Sequence, residues 1–369
     1  MHLLKRVCVE LFIGNVAINT HTPQQTIMKI TFKKVKNYTY IEAQNNAGLI
    51  LTLTSSGAAI RQVKVPDKFG NSKVVTLAPI REDLFFKAYH GKTIGRTSGR
   101  ISGATFTIDG KTAQLERNNF GVDNLHGGAS GFHVADFAFE VKQFEEYSDI
   151  VFSRTSPSGE GGYFGNVQIV VTYRVFEHKN TFQIIFDGNA DEKTLLNLTN
   201  HVYWNMSGNL SQSVADQKLY INAAQFGRLN ERLVVENVAP ATQEMDFRKA
   251  HKIGDYLYSR AVQRYTKGYD HPYFLVPHTF DDVVASLYCA DSGLKLEVKT
   301  TYPCIVFYAN GQATNAEVFA GKRDEQYLAA CLECQYHPDG IHATPQTCGI
   351  VEPQKPYHEL IEYNFVQIG

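Results

Sequence analysis

The sequence carries almost no net charge. Its 36 Lys and Arg stand against 37 Asp and Glu, a formal charge of −1 over 369 residues. A chain so balanced offers no basic footprint for nucleic acid and none for an anionic membrane, so the expected partner is a small, uncharged molecule. No run of 18 apolar residues occurs, which excludes a membrane-spanning helix. The six cysteines, Cys8, Cys289, Cys304, Cys331, Cys334 and Cys348, are too few and too scattered for a disulfide framework. Cys331 and Cys334 alone have metal-like spacing, but no second CxxC completes a zinc site. On a strand, residues three apart face opposite sides, so these thiols could not share a metal. Gly and Pro, 28 and 12 residues, fit neither a disordered nor a collagen-like chain.

Cofactor signatures are missing as well. Gly91-Lys92-Thr93 resembles the end of a phosphate-binding loop, but Phe86 stands where its first glycine belongs. Residues 159–165, GEGGYFG, end in the wrong register for GxGxxG because Phe164 occupies the last glycine position. The 13 histidines form no HExxH pair. Neither a nucleotide cofactor nor a catalytic metal is expected.

Aromatic residues, by contrast, are abundant: 23 Phe and 20 Tyr beside one Trp. With Val and Ile they favour strands. Leu49, Leu51 and Leu53 alternate with Ile50, Thr52 and Thr54, and Leu294, Leu296 and Val298 alternate with Lys295, Glu297 and Lys299. Such a period of two marks strands with one buried face. Asp109-Gly110 between two such runs predicts a hairpin. Helical periodicity is confined to one short candidate at residues 254–264. Together these features predict an all-β protein: one large antiparallel β-sandwich over residues 28–369, with few short helices. Residues 1–27 place Lys5 and Arg6 ahead of a modest apolar stretch in the manner of a secretory signal. Glu10 interrupts that stretch and no clear cleavage site follows, so an N-terminal extension outside the fold is expected, in a cytoplasmic protein.

Four polar segments break the strand pattern. In the first, GRTSGRI, Arg96 and Arg100 sit among small residues that let backbone approach a ligand. The second runs from Asn118-Asn119 to Asp123-Asn124-Leu125-His126-Gly127-Gly128 and poises His126 at a turn. In the third, residues 197–205, three Asn, Thr199, His201 and two aromatics crowd nine positions. Burying those groups without partners costs about 1 to 3 kcal/mol each, so a bonded polar network or a ligand site is expected. Alternation would put Asn197, Thr199, His201 and Tyr203 on one face. The fourth comprises two separated carboxylates, Asp246 in MDFRK and Glu333 in CLECQ.

With these segments in order, the chain resembles the aldose 1-epimerases, and within them the galactose mutarotase group. The resemblance spans roughly residues 40–367: GRTSGRI, NNFGVDNLHGG, SPSGEGGYFGNV, NLTNHVYWNM, MDFRK, GYDHPYFL and CLECQYHPDG. Gly99 stands where the family commonly has Asn, Cys334 where it has Thr, and Trp204 where it has Phe. The resemblance implies a galactose mutarotase-like supersandwich acting on a free aldose without cofactor or metal, as a monomer or homodimer. It puts Arg100, His126, His201, Asp246 and Glu333 at the family's active-site positions; His201 is read as general acid and Glu333 as general base, with Arg100, His126, Asp246 and Asn119 holding sugar hydroxyls. The chemistry agrees, since interconverting anomers needs a proton delivered to the ring oxygen and another taken from the anomeric hydroxyl. Three rivals stay open: a glycoside hydrolase using Asp246 and Glu333, a non-catalytic sugar-binding relative, and an epimerase of phosphorylated hexoses.

Overall fold

A computed structural model describes residues 28–309 and 327–369. The expected N-terminal extension, residues 1–27, lies outside the described residues. Within them every strand pairs antiparallel, one isolated parallel bridge joining Thr97 to Asn197, and there are two four-residue α-helices, Glu82–Phe85 and Arg260–Gln263. A nine-stranded sheet runs from Ala138–Gln143 at one edge to His251–Lys252 at the other. Its centre is formed by Thr181–Ala190, Tyr357–Gln367 and Leu294–Thr300. Two five-stranded sheets accompany it. One comprises Lys29–Val35 through Ser72–Val74; the other orders Val235–Pro240, Ala223–Leu229, Asp270–Leu275, Cys304–Tyr308 and Cys331–Gln335.

The alternating patterns explain why these sheets stack. Leu51, Leu53, Val63, Val65, Leu294, Leu296 and Val298 are all fully buried, while Lys64, Lys295, Glu297 and Lys299 between them keep contact with solvent. One hydrophobic core joins Ile41 and Leu51 of the first small sheet, Ile169 and Phe186 of the large sheet, and Tyr273 and Phe307 of the second. The fold is therefore a sandwich with its core between sheets. The Asp109-Gly110 hairpin forms as expected, joining Thr105–Ile108 to Lys111–Gln114, with both turn residues at positive φ. The single helix expected over 254–264 is instead a 3₁₀ turn at Ile253–Asp255 and the short α-helix at Arg260–Gln263. Ser259 caps the latter by accepting from Val262 N–H, which starts a new helix midway through the segment.

One joint of the sandwich holds an unusual group. Lys92 is fully buried. Its ammonium donates to Ser56 O at 2.9 Å and to Ser56 Oγ at 2.7 Å, and lies 4.5 Å from the centroid of the Phe85 ring. These partners are a carbonyl, a hydroxyl and an aromatic face rather than a carboxylate, so the charge is poorly compensated and burial pulls the Lys92 pKa down to about 7. The backbone of Lys92 accepts from His201 N–H at 2.9 Å, which ties this joint to the polar cluster described below. An unfolded lysine titrates near pH 10.4, so between about pH 7 and about pH 10 the unfolded chain holds a proton that the fold does not. The contribution of Lys92 to stability therefore rises with pH across that window, the cost of the buried charge being fully present below it. Chemical denaturation of wild type and Lys92→Met should show their difference moving in favour of wild type by up to about 1.4 kcal/mol per pH unit. A difference independent of pH would contradict this reading of Lys92.

Candidate active site

The second five-stranded sheet builds one wall of a cavity by simple alternation. Asp270 pairs with Tyr308, Pro272 with Val306, and Val306 with Glu333. With Gln335, these residues fall on one face of the sheet and line a cavity of about 190 Å³. The residues between them, Tyr273, Ile305, Phe307, Leu332 and Cys334, face the core. Cys331 and Cys334 fall in different apolar clusters, as strand geometry requires, so this CxxC is a packing feature. Loops supply the opposite wall with Arg100, His126, His201 and Tyr203, and Tyr89, Tyr203 and Tyr308 are the aromatic residues that face the cavity.

Two close approaches position the loops. Gly99 adopts φ +74°, and a Cβ there would sit 2.8 Å from Pro338 Cβ. Gly127 adopts φ +81°, and its Cβ would fall 2.0 Å from Gly95 O, inside any tolerable contact. The two loops are then cross-bonded. His126 N–H donates to Gly99 O at 3.0 Å, and Gly99 N–H donates to His126 Nδ1 at 3.2 Å. With Nδ1 accepting, the proton of the neutral His126 ring resides on Nε2. His201 Nε2 lies 3.5 Å from Glu333 Oε1, and its ring stacks on Tyr203 with centroids 4.9 Å apart. The Tyr89 ring lies 4.9 Å from His126 and 6.1 Å from His201.

The asparagines of residues 197–205 bond to backbone instead of substrate. Asn197 exchanges hydrogen bonds with the Tyr336 backbone, Asn200 donates to Gly91 O, and Asn205 donates to Gln212 O and Leu328 O. His201 and Tyr203 line the cavity; Asn197 and Thr199 do not. Arg96 is likewise spent on structure. Its guanidinium donates to Ser156 Oγ and to the carbonyls of Ser156, Pro157, Phe164 and Gly165, so the glycine-rich GEGGYFG segment is a cradle for that arginine.

Burial dominates the electrostatics. It pushes His201 down to about 3 and holds His126 well below the usual histidine range. It raises Glu333 well above the usual carboxylate range; Asp270 adds to that rise and Arg100 opposes it. Asp270 is raised by burial too, again opposed by Arg100. His126, His201 and Glu333 also bring one ligand atom each within 4.8 Å of one another, the trio of described residues that could hold a metal ion. These are the same donors that acid–base chemistry uses.

Of the candidates named from sequence, Arg100, His126, His201 and Glu333 converge on the cavity, whereas Asp246 and Asn119 do not. Asp246 follows the 3₁₀ turn Gln243–Met245. Met245 Sδ accepts from Tyr273 Oη, and the Phe247 ring packs on Tyr273 and Phe307, which puts this segment behind the sheet. The Asp246 carboxylate is occupied by Arg248, at 2.6 Å. Asn119 donates to Arg232 O at 3.3 Å and pairs with Asp123. It props the loop that carries Leu233 into the cavity wall without reaching the cavity itself. The carboxylate that sequence reasoning passed over is Asp270. Its signal was the GYDHPYFL string, where an acid interrupts an aromatic strand.

Fold and cavity together define a β-sandwich that gathers a histidine–carboxylate pair, a second carboxylate, an arginine and tyrosines around one cavity. The family profile described as aldose 1-epimerase matches residues 39–364, and the chain belongs to that family. The aldose 1-epimerase of Escherichia coli K12 is 30% identical over 336 residues, covering 89% of this chain and 95% of that protein. The galactose mutarotase of Sus scrofa is 31% identical, with 86% and 91% covered. Among solved structures, an aldose epimerase homologue from C. elegans superimposes with a TM-score of 0.81 at 26% identity, covering 89% of this chain and 99% of that one. The galactose 1-epimerase from Lactobacillus acidophilus also reaches 0.81, at 23% identity, and shares the fold.

The geometry separates two acids that sequence could not. Asp270→Asn should lower kcat/KM by about a hundredfold, the usual scale for losing a group that holds the reacting species, while Asp246→Asn should leave it unchanged. Steady-state kinetics on both variants decides. Loss in Asp246→Asn with retention in Asp270→Asn would reverse the assignment.

Proposed function

We propose that the protein interconverts the α and β anomers of free aldohexoses such as galactose and glucose, with His201 and Glu333 as the proton-transfer pair. One observation carries the assignment of roles: His201 Nε2 lies 3.5 Å from Glu333 Oε1 in a cavity that Arg100, His126 and Asp270 also line. In ring opening, the Glu333 carboxylate takes the proton of the anomeric hydroxyl and that oxygen forms the carbonyl. The bond from the anomeric carbon to the ring oxygen breaks, and the ring oxygen receives the proton of the His201 imidazolium. After rotation about the bond between the first and second carbons, the transfers reverse and the opposite anomer closes. The pair therefore carries one proton throughout, on His201 while the ring is closed and on Glu333 while it is open.

The neighbours act on these two arrangements in opposite senses. Burial favours the neutral pair, protonated Glu333 with neutral His201, whereas the Arg100 charge favours ionised Glu333. Arg100, His126 and Asp270 hold sugar hydroxyls and so align the ring oxygen with His201. The glycoside-hydrolase alternative loses its proposed pair, because Asp246 lies behind the sheet that carries Glu333. No helix of the described residues is long and apolar enough to cross a membrane. The five described cysteines are free thiols, in keeping with a cytoplasmic enzyme; monomer or homodimer remains the proposed state.

Freshly dissolved α-galactose or α-glucose should lose its excess optical rotation faster with the protein than in buffer. Glu333→Gln and His201→Asn should each remove the acceleration by about a hundredfold or more while circular dichroism shows folding intact. Relaxation no faster than in buffer with wild type would refute the activity, and full turnover in either variant would remove that residue from its role.

A further inference from the structure

We propose that a cavity behind the second five-stranded sheet binds a small organic anion, one phosphate or carboxylate group on an apolar body, and serves as an effector site for the sugar cavity on the sheet's other face. The binding stands apart from the aldose 1-epimerase reading above, whereas the effect on the sugar rests on it.

Strand register places the cavity. His271 pairs with Phe307, Phe226 with Tyr273, and Arg228 with Asn237. Phe307 and Tyr273 face the core, so His271, Phe226 and Arg228 lie on the face turned away from Asp270, Pro272 and Glu333. A cavity of about 360 Å³ lies on that side, its other walls including Met245, Arg264 and Tyr265. Leu229 is the one residue common to this cavity and the sugar cavity. The two are therefore separate sites.

The lining selects an anion. Two guanidiniums, Arg228 and Arg264, stand against one carboxylate, Glu236. Among the described residues neither arginine holds an acid; Arg264 lies over the Tyr265 ring, 5.0 Å from its centroid. Two such forks suit a phosphate or carboxylate group. A third donor is buried between them and the strand. His271 is more than nine-tenths buried, and its Nδ1 accepts from Asp270 N–H at 3.2 Å. The proton of the neutral ring is then on Nε2, which no described group accepts. Burial lowers His271 to about 4, so near neutral pH the ring is uncharged and offers that one N–H. Phe226, Met245 and Tyr265 give the rest of the ligand an apolar surface.

The two sites meet in one strand. Asp270 lines the sugar cavity, and its backbone N–H is bonded to the ring that lines the anion cavity. A ligand on His271 Nε2 thus acts on a bond that helps fix Asp270, and by linkage sugar and anion must alter each other's affinity.

Isothermal titration calorimetry with phenyl phosphate, benzoate and benzyl alcohol tests the binding, on wild type and on the double variant Arg228→Gln, Arg264→Gln. Both arginines are exposed and outside the sugar cavity, so fold and basal turnover should be unchanged. Wild type should bind at least one of the two anions about tenfold or more tightly than benzyl alcohol. The double variant should lose about tenfold, the scale of one charge-assisted hydrogen bond. Whichever anion binds more tightly identifies the headgroup as phosphate or carboxylate. Binding of neither anion, or equal binding by wild type and double variant, would overturn the site. Polarimetry of α-glucose tests the effector role, with sodium chloride at matched ionic strength as control. The saturating anion should change KM by about twofold or more in wild type and leave the double variant unmoved. An unchanged KM in wild type, or the same change in the double variant, would overturn that role. If wild type accelerates no sugar, the epimerase reading fails and the calorimetry still decides the site.

Discussion

Glu333 and His201 face each other across 3.5 Å with both side chains almost wholly excluded from water. In that setting neither charged form is cheap alone, which is the basis for the proposal that the two groups act as one site sharing a proton. Much of the surrounding construction serves this constraint. Glu333 is fixed by strand pairing to Val306, and His201 is held through its own backbone, which donates to Lys92 O and accepts from Gly91 N–H. Tyr203 stacks on the imidazole. Arg100 and Asp270 then tilt the proton in opposite senses, the arginine favouring ionised Glu333 and the aspartate disfavouring it.

Lys92, whose backbone carbonyl accepts from His201 N–H, is itself buried, its ammonium held by Ser56 and the Phe85 ring. The strand that presents Glu333 leads through Gln335 to Pro338 and Asp339, which continue the cavity wall.

The sandwich was legible because burying one face of a strand leaves a period of two, as in Leu49 to Leu53 and Leu294 to Val298. Arg100, His126, His201 and Glu333 were legible from family-like strings whose residues do meet in space. The choice between Asp246 and Asp270 was not. Both are acids beside aromatics in quoted motifs, and what separates them is which side of a sheet each segment reaches. That is decided by the non-local register of Asp270 with Tyr308 and by the packing of Phe247 on Tyr273. Arg96 misled for a related reason, since its five acceptors lie some 60 or more residues away along the chain.

The most direct measurement of the shared proton is the pH dependence of kcat/KM, corrected for the uncatalysed reaction. Only the singly protonated pair is competent. A second proton, on His201 near pH 3, and loss of the last one, from a Glu333 whose pKa is raised, must each stop turnover. A bell-shaped profile is therefore predicted, with its alkaline limb above the ordinary carboxylate range and moving to lower pH in Asp270→Asn, which removes a like charge beside Glu333. A profile that climbs through that limb without falling, or an alkaline limb unmoved by Asp270→Asn, would contradict the shared-proton pair.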